Sequence, residues 1–142
     1  MYNVTTMEVT KIQVCQDILS LLTHFKQELN RFAESRHMTN MQVAALYSIA
    51  QNGELLMGKV AGVLHCDPSN VTGIIDRLVA QKLVTRQECA HDRRAKTIAV
   101  TPEGQKVIDE LMALLPDQMG CGKLTTAERN SLHSAVQKLL VL

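Results

Sequence analysis

The stretch His65-Cys66-Asp67-Pro68-Ser69-Asn70-Val71-Thr72-Gly73-Ile74-Ile75-Asp76-Arg77-Leu78 decides the fold. Asp67 followed by Pro68 is a strong helix start. The acid suits the capping position, and proline suits the first helical position, where an amide has no helical partner anyway. From there Val71, Ile74, Ile75, Leu78 and Val79 recur at three- and four-residue steps, so they share one side of a helix running to about Gln81. The other side carries Ser69, Asn70, Thr72, Gly73, Asp76 and Arg77. Just upstream, Gly58 to Leu64 reads as a short helix with Val60, Ala61 and Leu64 inward. Only His65-Cys66 separates the two. Two helices joined by a tight turn, the second with a small-polar outer face, form a helix-turn-helix pattern.

Downstream the period changes from 3.6 to 2. Val84-Thr85-Arg86-Gln87-Glu88 and Lys96-Thr97-Ile98-Ala99-Val100 alternate as two half-buried strands. Between them, Cys89 to Ala95 reads as a polar hairpin tip with Arg93 and Arg94 adjacent. Thr101-Pro102-Glu103-Gly104 starts another helix, which carries Val107, Ile108, Leu111, Met112 and Leu115. Pro116 to Gly122 reads as a loop. Thr125-Thr126-Ala127-Glu128 has the form of a capping box and opens a last helix with Leu132, Val136 and Leu139.

Upstream of the motif, Thr39-Asn40-Met41-Gln42 is a further capping box. Its helix continues through Ala44, Ala45, Leu46 and Ile49 and stops at Asn52-Gly53. Glu54-Leu55-Leu56 is short and extended. Before all of these, Val9 to Ser35 forms one long amphipathic helix with Ile12, Cys15, Ile18, Leu19, Leu22, Phe25, Leu29 and Phe32 on its stripe. At 1.5 Å per residue it spans roughly 40 Å.

The expected class is mainly α with a small β-hairpin (α+β). A winged helix-turn-helix over residues 39–101 is flanked by helical regions at 1–36 and 102–142. Those regions carry more apolar face than a small module covers, so a homodimer interface is expected there.

The 142 residues hold 15 Lys+Arg and 14 Asp+Glu, for a net charge of +1. That balance excludes a strongly basic tail, but not nucleic-acid binding, which depends on distribution. From Gly58 to Lys96 there are seven basic and four acidic residues, a charge of +3, which leaves −2 for the remainder. The positive charge therefore collects on the winged module. With aromatics at 3% and no Trp, stacking of unpaired bases is not expected. The chain begins without a basic-then-apolar leader and has no apolar run fit to span a bilayer, so a cytoplasmic protein without membrane contact is expected.

Cys15, Cys66, Cys89 and Cys121 form no C-x-x-C, and the five histidines form no ligand pair, so neither a metal nor a cofactor is expected. No nucleophile–base pairing or phosphate-binding glycine loop stands in the sequence, so catalysis is not expected. Met38, Met41, Met57 and Met112 are candidates to line a pliable apolar pocket.

Ser69, Asn70 and Thr72 are short hydrogen-bonding side chains near a helix N-terminus, where a recognition helix meets base edges. Gly73 within a helix costs on the order of 1 kcal/mol against alanine, a cost that fits close approach of another backbone or of DNA. Arginine at a hairpin tip suits a narrow minor groove, and an acid such as Asp92 suits holding its guanidinium.

His65 to Leu78, followed by Asp92-Arg93-Arg94-Ala95-Lys96 and Val100-Thr101-Pro102-Glu103-Gly104, resembles the MarR family of bacterial transcriptional regulators. The likeness extends over nearly the whole chain, 1–142, as a single domain. It implies a homodimer with a winged-helix reader of double-stranded DNA in each subunit. It also implies a pseudo-palindromic operator, a repressor, and release by a small-molecule effector, aromatic or phenolic, bound between the dimer helices and the reader.

Carried over by position, Ser69, Asn70, Thr72 and Gly73 face bases or nearby phosphates. Arg94 enters the minor groove with Asp92 orienting it, beside Arg93 and Lys96, and Arg77 joins a salt-bridge and phosphate network around the wing. Some members sense hydroperoxides through a thiol near the start of the first helix, the place of Cys15. Here Cys15 lies on the apolar stripe, and the only tyrosines are Tyr2 and Tyr47, so burial as a packing residue is expected. The alternatives are a thiol-based redox regulator of the same fold and a winged-helix protein-interaction module.

Overall fold

The computed structural model describes residues 8–89 and 91–141, and leaves the side chain of Arg93 outside the description. Helix α1 (Lys11–Ser35) opens on a capping box in which Thr10 Oγ1 accepts the Gln13 amide and Gln13 Oε1 accepts the Thr10 amide. Only its C-terminal part is buried, through Glu28, Leu29, Phe32 and Ala33. It ends where His37 takes a positive φ of 55° and the Met38 amide donates back to the Ala33 carbonyl.

Helix α2 (Asn40–Asn52) starts on the Thr39–Gln42 box and ends at Gly53, whose φ is 67°. Val43, Ala45, Leu46 and Ile49 are fully buried and form the centre of the core. Strand β1 (Leu55–Leu56) leads into α3 (Met57–Leu64), from which Val60 is buried. The turn at His65-Cys66 has His65 in the left-handed region, and α4 (Pro68–Ala80) follows with Val71, Ile75 and Leu78 buried. Asp67 occupies the capping position by backbone, but its carboxylate makes no capping bond. Its carbonyl accepts the Asn70 amide instead.

Strands β2 (Val84–Cys89) and β3 (Asp92–Val100) complete a three-stranded antiparallel sheet in the order β1-β3-β2. Beyond buried Val84, β2 is largely exposed, where alternating burial was expected. A larger difference concerns the hairpin tip. Asp92 to Ala95 belong to β3, not to a loop. Glu88 pairs with Lys96 but the next residue, Cys89, pairs with Asp92, so Arg93, Arg94 and Ala95 lie between these pairs without a partner on β2. The arginines thus stand on a β-bulge, a device that re-aims side chains at the end of a ladder.

Helix α5 (Pro102–Gln118) is capped by Thr101 and buries Gly104, Val107, Ile108 and Leu111. It runs through Pro116, where a loop was expected. Near a helix end proline forfeits only one bond, the one to the Met112 carbonyl, and the Met119 and Gly120 amides close the last turn on Leu115 and Asp117. A short 3₁₀ turn (Cys121–Lys123) leads to α6 (Thr126–Leu140), which starts on the Thr125–Glu128 box and buries no residue within the chain. Among the described residues, no helix is long and apolar enough to cross a membrane.

Candidate nucleic-acid interface

Burial of Val71, Ile75 and Leu78 fixes which side of α4 faces out. Ser69, Asn70, Thr72, Gly73, Asp76 and Arg77 are all exposed. Ser69 and Asn70 lie in the first turn, at the positive end of the helix dipole. Ser69, Asn70, Gly73 and Arg77 line a groove of about 470 Å³ together with Thr39, Met41, Cys66 and Ile74. A Cβ built on Gly73 meets nothing within 4 Å, so no packing inside the chain requires glycine there. The position is open to an external surface.

Arg77 behaves differently from its expected role. Among the described residues it forms no ion pair. The bridge from α4 to the wing is made by its neighbour, Asp76, to Arg86 on β2. The reason is angular: consecutive helical residues lie about 100° apart, and Asp76 is the one turned toward β2. This pair was missed in the sequence, because ten residues and a turn separate its members.

On the wing, Arg94 and Lys96 are exposed. Asp92 meets Arg94 through the backbone and not through the guanidinium, where a hold on the guanidinium was expected. Asp92 Oδ1 accepts the Arg94 amide at 2.9 Å. This leaves the Arg94 head group without an ion pair among the described residues. Arg93 has its backbone in β3, and its side chain lies outside the described residues.

The remaining candidates are dispersed. Cys15 is exposed, together with its stripe neighbours Ile12 (70%) and Leu19 (64%), where burial was expected. Among the described residues that half of α1 is covered only in part: Ile18 is half-buried, and Val14 shares an open cavity with Ser134, Ala135 and Leu139 of α6. Cys66 is half-buried against the core, as packing at the turn requires. Met38, Met41 and Met57 each line a different cavity and Met112 is exposed, so no common methionine pocket forms. Among the described residues, no three His, Cys, Asp or Glu side chains gather as a metal site.

The family model of the MarR family matches residues 38–96. The HTH-type transcriptional regulator YhbI of Bacillus subtilis (strain 168) is 30% identical over 120 residues, covering 82% of this chain and 77% of that protein. The HTH-type transcriptional repressor MdtR of the same organism is 31% identical over 105 residues, covering 71% and 68%.

Among solved structures, wild-type MarR from E. coli in its apo form superposes with a TM-score of 0.75 at 22% identity, over 94% of this chain and 98% of that one. A mutant MarR complexed with operator DNA gives 0.68 at 23% identity, over 91% and 94%. The helix-turn-helix, the wing and these relatives agree: the chain belongs to the MarR family and is a transcriptional regulator, not an enzyme.

Proposed function

We propose that the protein is a cytoplasmic homodimer that binds a pseudo-palindromic operator in double-stranded DNA and represses transcription until a small molecule releases it. In this reading residues 39–101 read the duplex, and 1–36 with 102–142 pair the subunits. The observation that carries it is the pairing of an open small-polar face on α4 with a bulged, cationic wing. Ser69, Asn70, Thr72 and Gly73 meet base edges or phosphates in the major groove. Arg94 enters the adjacent minor groove, and Arg93, Lys96 and Arg77 contribute positive charge along the backbone.

Dimerisation is supported by area. A compact monomer of this mass exposes about 7,300 Å², whereas this chain exposes 10782 Å². The surplus includes Leu22, Leu132, Val136, Leu139 and Leu140, each at least 39% exposed. The repressor assignment leans on MdtR, and operator binding on the MarR complex. A cavity of about 450 Å³ lined by Ser35, Arg36, Met38, Gln81, Leu83 and Val107 lies where α1, α4 and α5 meet. Arg36 stacks 5.1 Å over Phe32, and its buried Nε has no acceptor among the described residues. The Arg36 guanidinium also pairs with Glu110, so an aromatic or phenolic anion would act as effector here by displacing that carboxylate.

Selection from random duplexes tests the reading. The expected product is an inverted repeat whose half-sites lie one helical turn apart, about 34–36 Å. A pool with no enriched motif replaces this reading by the protein-interaction module.

A further inference from the structure

We infer that the cleft between α3 and β3 is a seat for a DNA backbone phosphate, and that Lys59 is its principal cation. The inference rests on the DNA-binding reading above and adds a contact from outside both the recognition helix and the strand hairpin. The cleft, about 440 Å³, is lined by Leu56, Met57, Gly58, Lys59, Arg94, Ala95 and Lys96. Three cations from two elements line it and no acid does.

Their convergence is a product of the sheet. Leu56 pairs with Thr97 across β1 and β3, which sets the first turn of α3 beside Lys96. The bulge at Arg93–Ala95 sets Arg94 beside the same opening. Lys59, Arg94 and Lys96 are exposed and form no ion pair among the described residues. Lys96 stands opposite Glu88 in the ladder, which offsets part of its charge and leaves Lys59 and Arg94 as the stronger pair. Lys59 and Arg94, with no acid lining the cleft between them, repel one another, so an anion that neutralises them is favoured.

The geometry suits a phosphodiester. The minor groove is about 6 Å wide and is bounded by two rows of phosphates. A guanidinium directed into it passes between them, and other cations on the same cleft meet the bordering row. The first turn of α3 has no side-chain cap and no acidic residue, so its amides add donors to the same wall.

The test compares wild type, Lys59→Gln and Lys59→Arg on a selected operator and on an unrelated duplex, across a range of salt. Each lost phosphate contact lowers the slope of log affinity against log salt by about 0.9. Lys59→Gln is therefore expected to reduce the slope by that amount per subunit and to weaken both duplexes in equal proportion. Lys59→Arg is expected to restore the slope. An unchanged slope in Lys59→Gln, with its melting curve also unchanged, overturns the inference while leaving operator binding intact. Failure of the wild type to bind any duplex overturns the underlying reading as well. A melting temperature raised by inorganic phosphate in wild type but not in Lys59→Gln, with equal salt slopes for DNA binding in the two proteins, assigns the cleft to free phosphate and also overturns it.

Discussion

Gly73 and Gly104 show how the same residue type serves two ends. A Cβ on Gly104 lies 2.1 Å from the Leu83 carbonyl oxygen, so glycine there is a requirement of packing α5 against the start of the wing. A Cβ on Gly73 meets nothing. The cost of glycine inside α4 therefore brings no gain within the chain. Gly73→Ala is expected to raise stability to chemical denaturation by about 1 kcal/mol, the helix-propensity difference, while weakening operator binding. A variant that is stabilised and binds DNA normally removes Gly73 from the interface.

The small-polar face of α4 was legible because its period is local. The partners of Asp76 and of the Asp92 carboxylate were not. One depends on the approach of β2, and the other on a backbone amide that sequence does not advertise. The Thr10–Gln13 box that starts α1 at Lys11 was missed, because hydrophobic periodicity carried the helix back to Val9.

At the scale of elements, the wing is the main revision. Read as a loop tip, Arg94 would sit on a mobile turn. In β3, its backbone is held by the Asp92 carboxylate and its strand is paired on both sides of the bulge. A guanidinium on a held backbone loses less conformational freedom on binding. Arg94→Ala is expected to weaken duplex binding by roughly 1–3 kcal/mol without changing the melting transition, measured by titration at fixed salt. Affinity equal to wild type would remove the wing from recognition. The places of the strands were legible, although β2 does not bury alternate residues. The bulge was not, because register is decided by pairing between strands and not within one. Pro116 is a similar case, since proline marks a loop only where the lost bond and the ring clash outweigh the neighbours' helix preference.

At the scale of the molecule, the N-terminal half of α1 and the whole of α6 leave most of their apolar side chains exposed among the described residues. Helix α6 buries nothing, and the N-terminal half of α1 is exposed along the stripe that includes Cys15. The dimer proposed above would cover both surfaces and set two reading heads on one duplex. Leu132→Glu changes a side chain that is 47% exposed in the single chain, so its folding is expected to survive. Sedimentation is expected to show monomer, and operator affinity is expected to fall roughly a hundredfold or more, because the second head no longer benefits from the first. A dimer of unchanged stability would place the interface elsewhere. Sequence by itself determined the order of the helices, the Thr39 and Thr125 caps, the place of the hairpin and the outward face of α4, since each rests on neighbours within one or two turns of chain. Tertiary structure alone decided the register that bulges the wing, the Asp76–Arg86 tie and the cleft that gathers Lys59 with Arg94 and Lys96. Those contacts join residues far apart in the chain, and only the packing of α3, α4 and the sheet fixes the distances between them.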